Sequence, residues 1–155
     1  MAIIFPNQTI STSGSNNLQV PGSIIQFVDN QTTVSTTVTT AAWVNVLSTS
    51  ITITNASNKI LVDYFMNDRS DQGNGTWSLI YHRILRNGTQ IMYSGFNGAA
   101  ANWIGFYKRQ FIDTPGSAGT YTYVASVLAH QGTAWIGSYN SGSTNHYLRL
   151  YEIGA

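Results

Sequence analysis

The stretch 58–66 has strand-forming residues between two turn signals, and both of its faces are largely apolar. One face carries Ile60, Val62, Tyr64 and Met66, and the other carries Leu61, Asp63 and Phe65. A strand that is apolar on both faces lies inside a sheet with material packed on each side. We therefore predict that this strand is the centre of the fold, and that the Asn-, Asp- and Gly-rich run 67–75 ends it as a turn.

Strand-like runs separated by Gly, Asn and Ser turns recur along the rest of the chain. They cover residues 23–29, 31–40, 43–47, 50–54, 76–86, 89–94, 103–113, 120–129, 134–138 and 146–153. No segment has a helical period, so about ten short strands predict an all-β fold. Strand count and domain size favour a jelly-roll-like antiparallel β-sandwich of two four-stranded sheets, with a helix-free barrel as the alternative.

The clearest local signal is the pair Asn87-Gly88 between two strand-like runs. Both residue types tolerate the positive φ angles of a type I′ turn, which joins antiparallel strands with two residues. The sequence therefore predicts a tight hairpin here.

Residues 1–20 have no sustained period and are predicted to form an extended N-terminal arm, followed by the sandwich domain 21–155. The arm carries apolar side chains that do not suit a free tail: Ile3, Ile4, Phe5, Ile10 and Leu18. Either the arm folds back on its own domain, or it docks on a neighbouring protein, where strand addition would supply the backbone hydrogen bonds.

Composition narrows the classes of partner. Charged residues are only 8% of the 155 residues and the formal net charge is +1, whereas about 25% charged is typical. Binding to nucleic acid needs clustered Lys and Arg, which are missing here. No apolar run is long enough to span a membrane, and the start lacks the basic region of a signal peptide. The chain has no cysteine, so its stability must come from packing or assembly.

Candidate catalytic and metal-binding residues do not form a recognised pattern. His82, His130 and His146 are far apart, no nucleophile elbow is present, and the histidine spacing does not match a zinc site. The run 67–74 is only vaguely like a calcium loop, because it lacks the closing Glu and contains Arg69. We expect His82 and His146 to be structural or solvent-facing, and we predict no enzyme activity, no metal and no cofactor.

Aromatic residues beside Gly- and Asn-rich loops suggest a sugar-binding alternative. Trp103 and Tyr139, with the amide of Asn102 nearby, are the candidate glycan-binding residues. The competing interpretation is that these rings cap the ends of the sandwich, because aromatic side chains dominate core area in most proteins.

Several strands are apolar on both faces, although one sandwich core covers only one face. A surface nearly without Lys and Glu is also typical of a permanent interface. We therefore predict a homo-oligomer, for which a cyclic trimer is a natural closed form.

The order of motifs from residue 21 onwards resembles a module of tailed-bacteriophage virion proteins, of the type found in cyanophages and marine phages. The resemblance is carried by residues 21–26 (PGSIIQ), the Thr/Ser/Val run after them, 50–54 (SITIT) and 57–62 (SNKILV). It implies a trimeric jelly-roll domain on the outside of the virion, as a capsid cement or decoration protein or as a tail-fibre tip.

An arm of about twenty residues is too short for a fibre shaft at about 3.3 Å per residue, which favours the cement interpretation. The arm residues would then bind the major capsid protein. The alternative is a receptor-binding tip on the tail that recognises a host surface glycan.

Overall fold

The computed structural model describes residues 11–12, 18–19, 21–39, 41–71, 78–98, 103–139 and 142–155. The strands are β1 Ser11–Thr12, β2 Leu18–Gln19, β3 Ile24–Thr32, β4 Thr36–Val38, β5 Val44–Ile53, β6 Lys59–Asp71, β7 Ser78–Arg86, β8 Thr89–Gly98, β9 Trp103–Asp113, β10 Gly119–Gln131, β11 Thr133–Ile136, β12 Ser138–Tyr139, β13 Gly142–Ser143 and β14 His146–Ile153. None of the described residues forms a helix of a length and apolarity that could span a membrane.

Eight of these strands pair in a nested order. β7 pairs with β8, β6 with β9, β5 with β10 and β3 with β14, and every pair is antiparallel. They form a four-stranded sheet, β5-β10-β7-β8, and a second sheet in which β6 lies between β14 and β9, with β3 outside β14. This is the arrangement of a long hairpin rolled into two sheets, the jelly roll. The predicted all-β, jelly-roll-like sandwich is confirmed.

The core lies between the two sheets and is built by strict alternation. Ile60, Val62, Tyr64 and Met66 of β6 are completely buried, as are alternate residues of β14, beside β6, and of β7 in the opposite sheet. On the opposite face of β6, Leu61 and Phe65 are only partly covered, whereas Asp63 is buried. The prediction that 58–66 is the central strand is confirmed, because β6 pairs with three other strands.

The predicted turn at 67–75 is wrong in its first half, because β6 continues as a strand to Asp71. Both edges of this polar extension are paired. Asn67 to Ser70 lie opposite β9, and Asp68 to Asp71 lie opposite β11. Asn67 also donates a 2.7 Å side-chain hydrogen bond to Thr144. Tertiary pairing therefore overrides the turn preference of these residues.

Two other predicted boundaries also shift. The run 31–40 is not one strand, since β3 ends at Thr32 and β4 covers only Thr36–Val38. The runs 43–47 and 50–54 form a single strand, β5, whose pairing with β10 skips one residue at Val46. Such a bulge lets one strand continue through an apparent break in alternation.

The Asn87-Gly88 hairpin is confirmed. Asn87 has φ 46° and Gly88 has φ 83°, both in the left-handed region that the type I′ turn requires. The turn also docks on the neighbouring strand, because Thr122 N donates to Asn87 Oδ1 and Asn87 N donates to Thr122 O, each at 2.8 Å.

A polar cluster joins the two sheets near this turn. Arg86 Nη1 donates to both carboxylate oxygens of Asp113, at 2.7 and 2.9 Å, and the Tyr123 hydroxyl donates to the same carboxylate at 2.5 Å. Burial, reinforced by this hydrogen bond, raises the pKa of Tyr123 above its ordinary value. Because Arg86 and Asp113 belong to different sheets, the cluster stabilises the sandwich as well as each sheet.

A second polar cluster surrounds Glu152, which is fully buried in β14. Its carboxylate accepts hydrogen bonds from Gln26 Nε2 at 2.5 Å, Asn58 Nδ2 at 2.6 Å and Thr54 N at 3.3 Å. A buried carboxylate is tolerated where several donors replace water, and here they tie β14 to three other parts of the chain.

Candidate functional site

The outer face of the second sheet forms an organised surface across four strands. Residues directly opposite each other in antiparallel strands share a face, so the registers of β3, β14, β6 and β9 define rows across the sheet. The rows, read from β3 to β9, are Phe27, Tyr151, Leu61 and Ile112; Asp29, Arg149, Asp63 and Gln110; and Gln31, Tyr147, Phe65 and Lys108.

Aromatic stacking organises this outer face. The rings of Phe27 and Tyr151 stack with centroids 4.8 Å apart. Phe65 stacks on Tyr147 at 5.4 Å and on Phe106 at 6.2 Å. Contacts of this kind hold the rings in fixed positions, so the face is a preformed surface.

The same outer face carries most of the exposed large apolar side chains. Phe106 is 71% exposed, Ile24 61%, Ile112 50% and Phe27 49%. Single exposed apolar residues are ordinary, but several on one sheet face form a patch typical of protein interaction sites. We refer to the outer face of β3, β14, β6 and β9 as the apolar face.

A charged row crosses the apolar face. Arg149 Nε donates to Asp29 at 3.1 Å, and its guanidinium lies 4.0 Å from the centre of the Tyr147 ring. The hydrogen bond with Asp29 raises the pKa of Arg149 above its ordinary value. Asp63, in the same row, is 5% exposed, and its Oδ1 accepts no hydrogen bond among the described residues. The Asp29–Arg149 pair would give a partner a fixed orientation on this face.

A histidine, an aspartate and a tyrosine meet in the core, but their burial argues against catalysis. His82 Nε2 lies 2.7 Å from Asp68 Oδ2, and His82 Nδ1 lies 2.9 Å from the Tyr64 hydroxyl. The His82 ring also stacks on Tyr107 at 4.3 Å. Tyr64, Asp68 and His82 are each completely buried, so a substrate has no access to them.

The electrostatics of this cluster fit a structural role. Burial, and then the charge of Asp68, raise the pKa of Tyr64 well above its ordinary value, so the hydroxyl keeps its proton. A ring proton on Nε2 places the donor on the side of Asp68 and leaves Nδ1 to accept from the Tyr64 hydroxyl. The interpretation of His82 as structural is supported, and the solvent-facing alternative is wrong.

His146 begins β14, as expected, and is also fully buried. Burial lowers its pKa below the ordinary value. Within the described parts of the chain, no three His, Asp or Glu side chains come together in a way that could hold a metal ion.

The outer face of the four-stranded sheet carries an aromatic cleft of about 450 Å³. It is lined by Trp43, Tyr81, Gln90, Tyr93, Leu128 and His130. Tyr81 and Tyr93 stack at 5.6 Å, Trp43 meets Tyr93 edge-on at 6.2 Å, and His130 meets Tyr81 edge-on at 6.1 Å. Sequence reasoning missed this cleft.

Strand register explains why the cleft was missed. Counting back from the Asn87-Gly88 turn without a bulge places Tyr93 opposite His82, on the core side. The register instead skips Ile91, which places Tyr93 opposite Arg83 and Gly95 opposite Tyr81 on the outer face. The alternation of residues along β7 indicates that Tyr81 and Arg83 share a face. The residues of β8 opposite them cannot be assigned from the sequence, because the position of the bulge is not known from it.

The residues predicted to bind partners are only partly placed. Ile3, Ile4, Phe5, Ile10 and Asn102 lie outside the described residues. The backbone of Leu18 belongs to β2, which pairs with β1 in a small sheet of its own. Trp103 begins β9 of the large sheet, whereas Tyr139 lies in the separate two-stranded sheet β12-β13.

No protein-family model matches this sequence, and no curated protein is similar to it. Several solved structures resemble the fold, among them three longer chains. A chain in the structure of infectious bursal disease virus Gx strain has a TM-score of 0.49 at 10% identity, covering 95% of this chain and 42% of that chain. Dimeric latent PorU from Porphyromonas gingivalis has a TM-score of 0.40 at 10% identity, covering 95% of this chain and 14% of that chain.

The third structure is the enzymatically active domain of bacteriophage CBA120 tailspike protein 4. Its TM-score is 0.30 at 17% identity, covering 81% of this chain and 20% of that chain. The chain thus spans less than half of each of these longer chains. Likeness at this level concerns the arrangement of strands and carries no argument about function.

Proposed function

We propose that this chain is a non-enzymatic structural protein of a bacteriophage virion that assembles as a homotrimer through its apolar face. The observation that carries the proposal is the apolar face itself, with exposed Ile24, Phe27, Phe106 and Ile112 on one sheet. The resemblance of the sequence to phage virion modules supplies the biological setting.

The shape and chemistry of the apolar face fit a protein partner better than a small molecule. Ligand sites are concave, whereas this surface follows a sheet across four strands. Interface cores are enriched in Phe and Tyr, as the rows of Phe27 and Phe65 are. In a cyclic trimer, one part of this face would contact a different part of the neighbouring copy's face around the three-fold axis.

In the cement form of the proposal, the trimer sits on the outside of the capsid and the arm binds the major capsid protein. Ile3, Ile4, Phe5, Ile10 and Leu18 would make the arm contacts. Three weak arms on one rigid trimer would bind together through their high effective concentration. The arm contains no charged side chain, so we expect the affinity of the arm for the shell to vary little with salt concentration.

The alternative is a receptor-binding tip on the phage tail, without a role on the capsid. The aromatic cleft is the observation that favours it, because it is an open surface site on the sheet opposite the apolar face.

Sedimentation equilibrium of the full chain tests the assembly. We expect a trimer for the native protein and for Val34→Glu, whose side chain is 68% exposed outside the strands. We expect a monomer for the double variant Phe27→Glu and Ile112→Glu, because it places charges at both ends of one row of the apolar face, on side chains that are about half exposed. A monomeric native protein at tens of micromolar would contradict the homotrimer.

Antibody labelling of purified virions in the electron microscope tests the location. Label over the head supports cement, label confined to the tail supports the receptor-binding tip, and unlabelled particles contradict both. If cement is correct, Ile4→Asp with Phe5→Asp should still form trimers but no longer bind shells. A variant that decorates shells normally would contradict the role of the arm.

A further inference from the structure

We propose that the aromatic cleft on the outer face of the four-stranded sheet binds an oligosaccharide. The site is separate from the glycan-binding residues expected from the sequence, Trp103, Tyr139 and Asn102. It is also separate from the apolar face, which belongs to the other sheet. The inference therefore does not depend on the proposed trimer.

The cleft offers an aromatic platform at its centre. Tyr93 is 54% exposed and stacks on Tyr81 with an angle of 19° between the rings. Trp43 approaches Tyr93 at 70°, so rings of two orientations face the same space. A pyranose ring has an apolar C–H face that packs on such a ring, and tyrosine provides the contact with little loss of side-chain freedom.

Polar groups lie around this platform where sugar hydroxyls would be. The Gln90 amide supplies both donors and an acceptor, and the His130 imidazole supplies one of each when neutral. Arg83, beneath Trp43, has its guanidinium 4.3 Å from the centre of the indole, and its buried Nε has no hydrogen-bond partner among the described residues. Sugar sites combine apolar walls with a few convergent polar groups in this way.

The same lining disfavours other ligand classes. None of the six lining residues is acidic, so the cleft lacks the carboxylates that a divalent cation prefers. Arg83, next to the lining, is a single cation, and the six lining residues add no Lys or Arg, so the cleft lacks the clustered cations that bind phosphates. A neutral, hydroxyl-rich ligand with apolar faces matches what remains.

Three register shifts in the four-stranded sheet lie around the cleft. They skip Ile91 in β8, His130 in β10 and Val46 in β5. Each bulge sacrifices regular pairing, and bulges commonly re-aim side chains beside binding sites. The bulge at Ile91 places Tyr93 on the outer face, and the bulge at His130 places that side chain in the cleft lining. Two of the bulges therefore contribute residues to the cleft.

A glycine also shapes the cleft from below. A Cβ atom at Gly95 would lie 2.4 Å from Tyr81 Cδ1, so the Tyr81 ring can lie flat across the sheet only over a glycine. Gly95→Ala should therefore displace Tyr81 and spoil the platform without removing any lining side chain.

The test is a printed array of neutral and acidic oligosaccharides, probed with the labelled full chain. We expect selective binding to a subset of glycans, followed by titration with the best-bound oligosaccharide using tryptophan fluorescence. Tyr93→Ala should weaken that binding by about tenfold or more, as for a central aromatic contact, and Gly95→Ala should weaken it with all lining residues present. Thr52→Ala is the matched control, since Thr52 lies exposed on the same sheet face and its hydroxyl forms a hydrogen bond with the hydroxyl of Thr120, outside the cleft lining.

Three results would overturn the inference. They are an array with no bound glycan, a bound glycan whose affinity is unchanged in Tyr93→Ala and Gly95→Ala, and a Tyr93→Ala variant that loses trimers instead of glycan binding. The last result would identify the cleft as a subunit interface. Failure of the trimer alone, seen by sedimentation, leaves glycan binding intact and so distinguishes the two proposals.

Discussion

The substitution His82→Leu removes the central member of the buried Tyr64–His82–Asp68 cluster while nearly preserving side-chain volume. It leaves the Asp68 carboxylate completely buried without the imidazole that lies 2.7 Å away. Leaving a buried charge without its compensating partner costs about 3–5 kcal/mol. Protonating an aspartate at pH 7 costs about 4 kcal/mol, which limits the penalty because the carboxyl group can become neutral instead.

The Tyr64 hydroxyl also loses its 2.9 Å contact with the imidazole. A buried hydroxyl left without a partner costs about 1–3 kcal/mol, although the two penalties overlap because the freed groups rearrange together. We therefore expect His82→Leu to lower the free energy of unfolding by about 4 kcal/mol at pH 7. Domains of this size have about 5–15 kcal/mol in total, so the variant should fold only marginally.

Urea unfolding followed by tryptophan fluorescence and circular dichroism measures this loss at several protein concentrations, which separates it from assembly. The double variant His82→Leu with Asp68→Asn carries no buried charge in the cluster. We expect it to be about 2 kcal/mol more stable than His82→Leu alone. A single variant that loses less than about 1 kcal/mol, or a double variant no more stable than the single one, would refute the assignment of a buried charged contact.

Three further expected effects concern the packing of Gly137 and the dependence of stability on pH. Gly137→Ala should lower the free energy of unfolding, measured with urea, by about 1 kcal/mol more than Gly116→Ala does. Both glycines have positive φ, but only at Gly137 would the added Cβ lie 2.5 Å from His146. Equal losses of unfolding free energy in the two variants would contradict the packing argument. Stability should fall as pH drops below about 6.5, because the unfolded chain then binds a proton that buried His146 resists, and His146→Gln should flatten this slope. Stability should also fall above about pH 10, because unfolded tyrosines ionise while the raised pKa values of Tyr64 and Tyr123 keep them neutral; alkaline unfolding curves unchanged in Tyr64→Phe with Tyr123→Phe would contradict this.

Much of the fold could be predicted because its strands alternate cleanly. The alternation of Ile60, Val62, Tyr64 and Met66 identifies the core face of β6, and Asn87-Gly88 fixes a hairpin from two residues. These signals are local, and each depends on the side chains of one strand or one turn. They led correctly to the jelly roll.

The candidate sites could not be predicted in the same way, because they depend on register between distant strands. Asp29 meets Arg149 only after β3 and β14 pair. The cleft depends on bulges, whose extra residue changes the face on which Tyr93 lies. The local sequence predicts a turn at Asp68, because its partner, His82, lies on a strand of the other sheet and is not visible from the local pattern. Local preference cannot show such contacts, so sequence reasoning looked for aromatic residues in loops instead of on the sheet face.

The nested pairing of the strands also sets an order in which the chain can acquire its structure. The hairpin β7-β8 closes across two residues, and each further pair encloses the previous one, ending with β3 and β14. Each pairing brings the next two strands close together, so the entropic cost of closing a long loop is divided into several small steps. We expect folding in milliseconds to seconds, with amides of β7 and β8 protected first in pulsed hydrogen exchange. β14 lies between β3 and β6 and is the last of the eight strands to be synthesised. The edge of β6 therefore stays unpaired on the nascent chain until β14 has been made. We expect this open edge to be the site most prone to mispairing between copies of the chain.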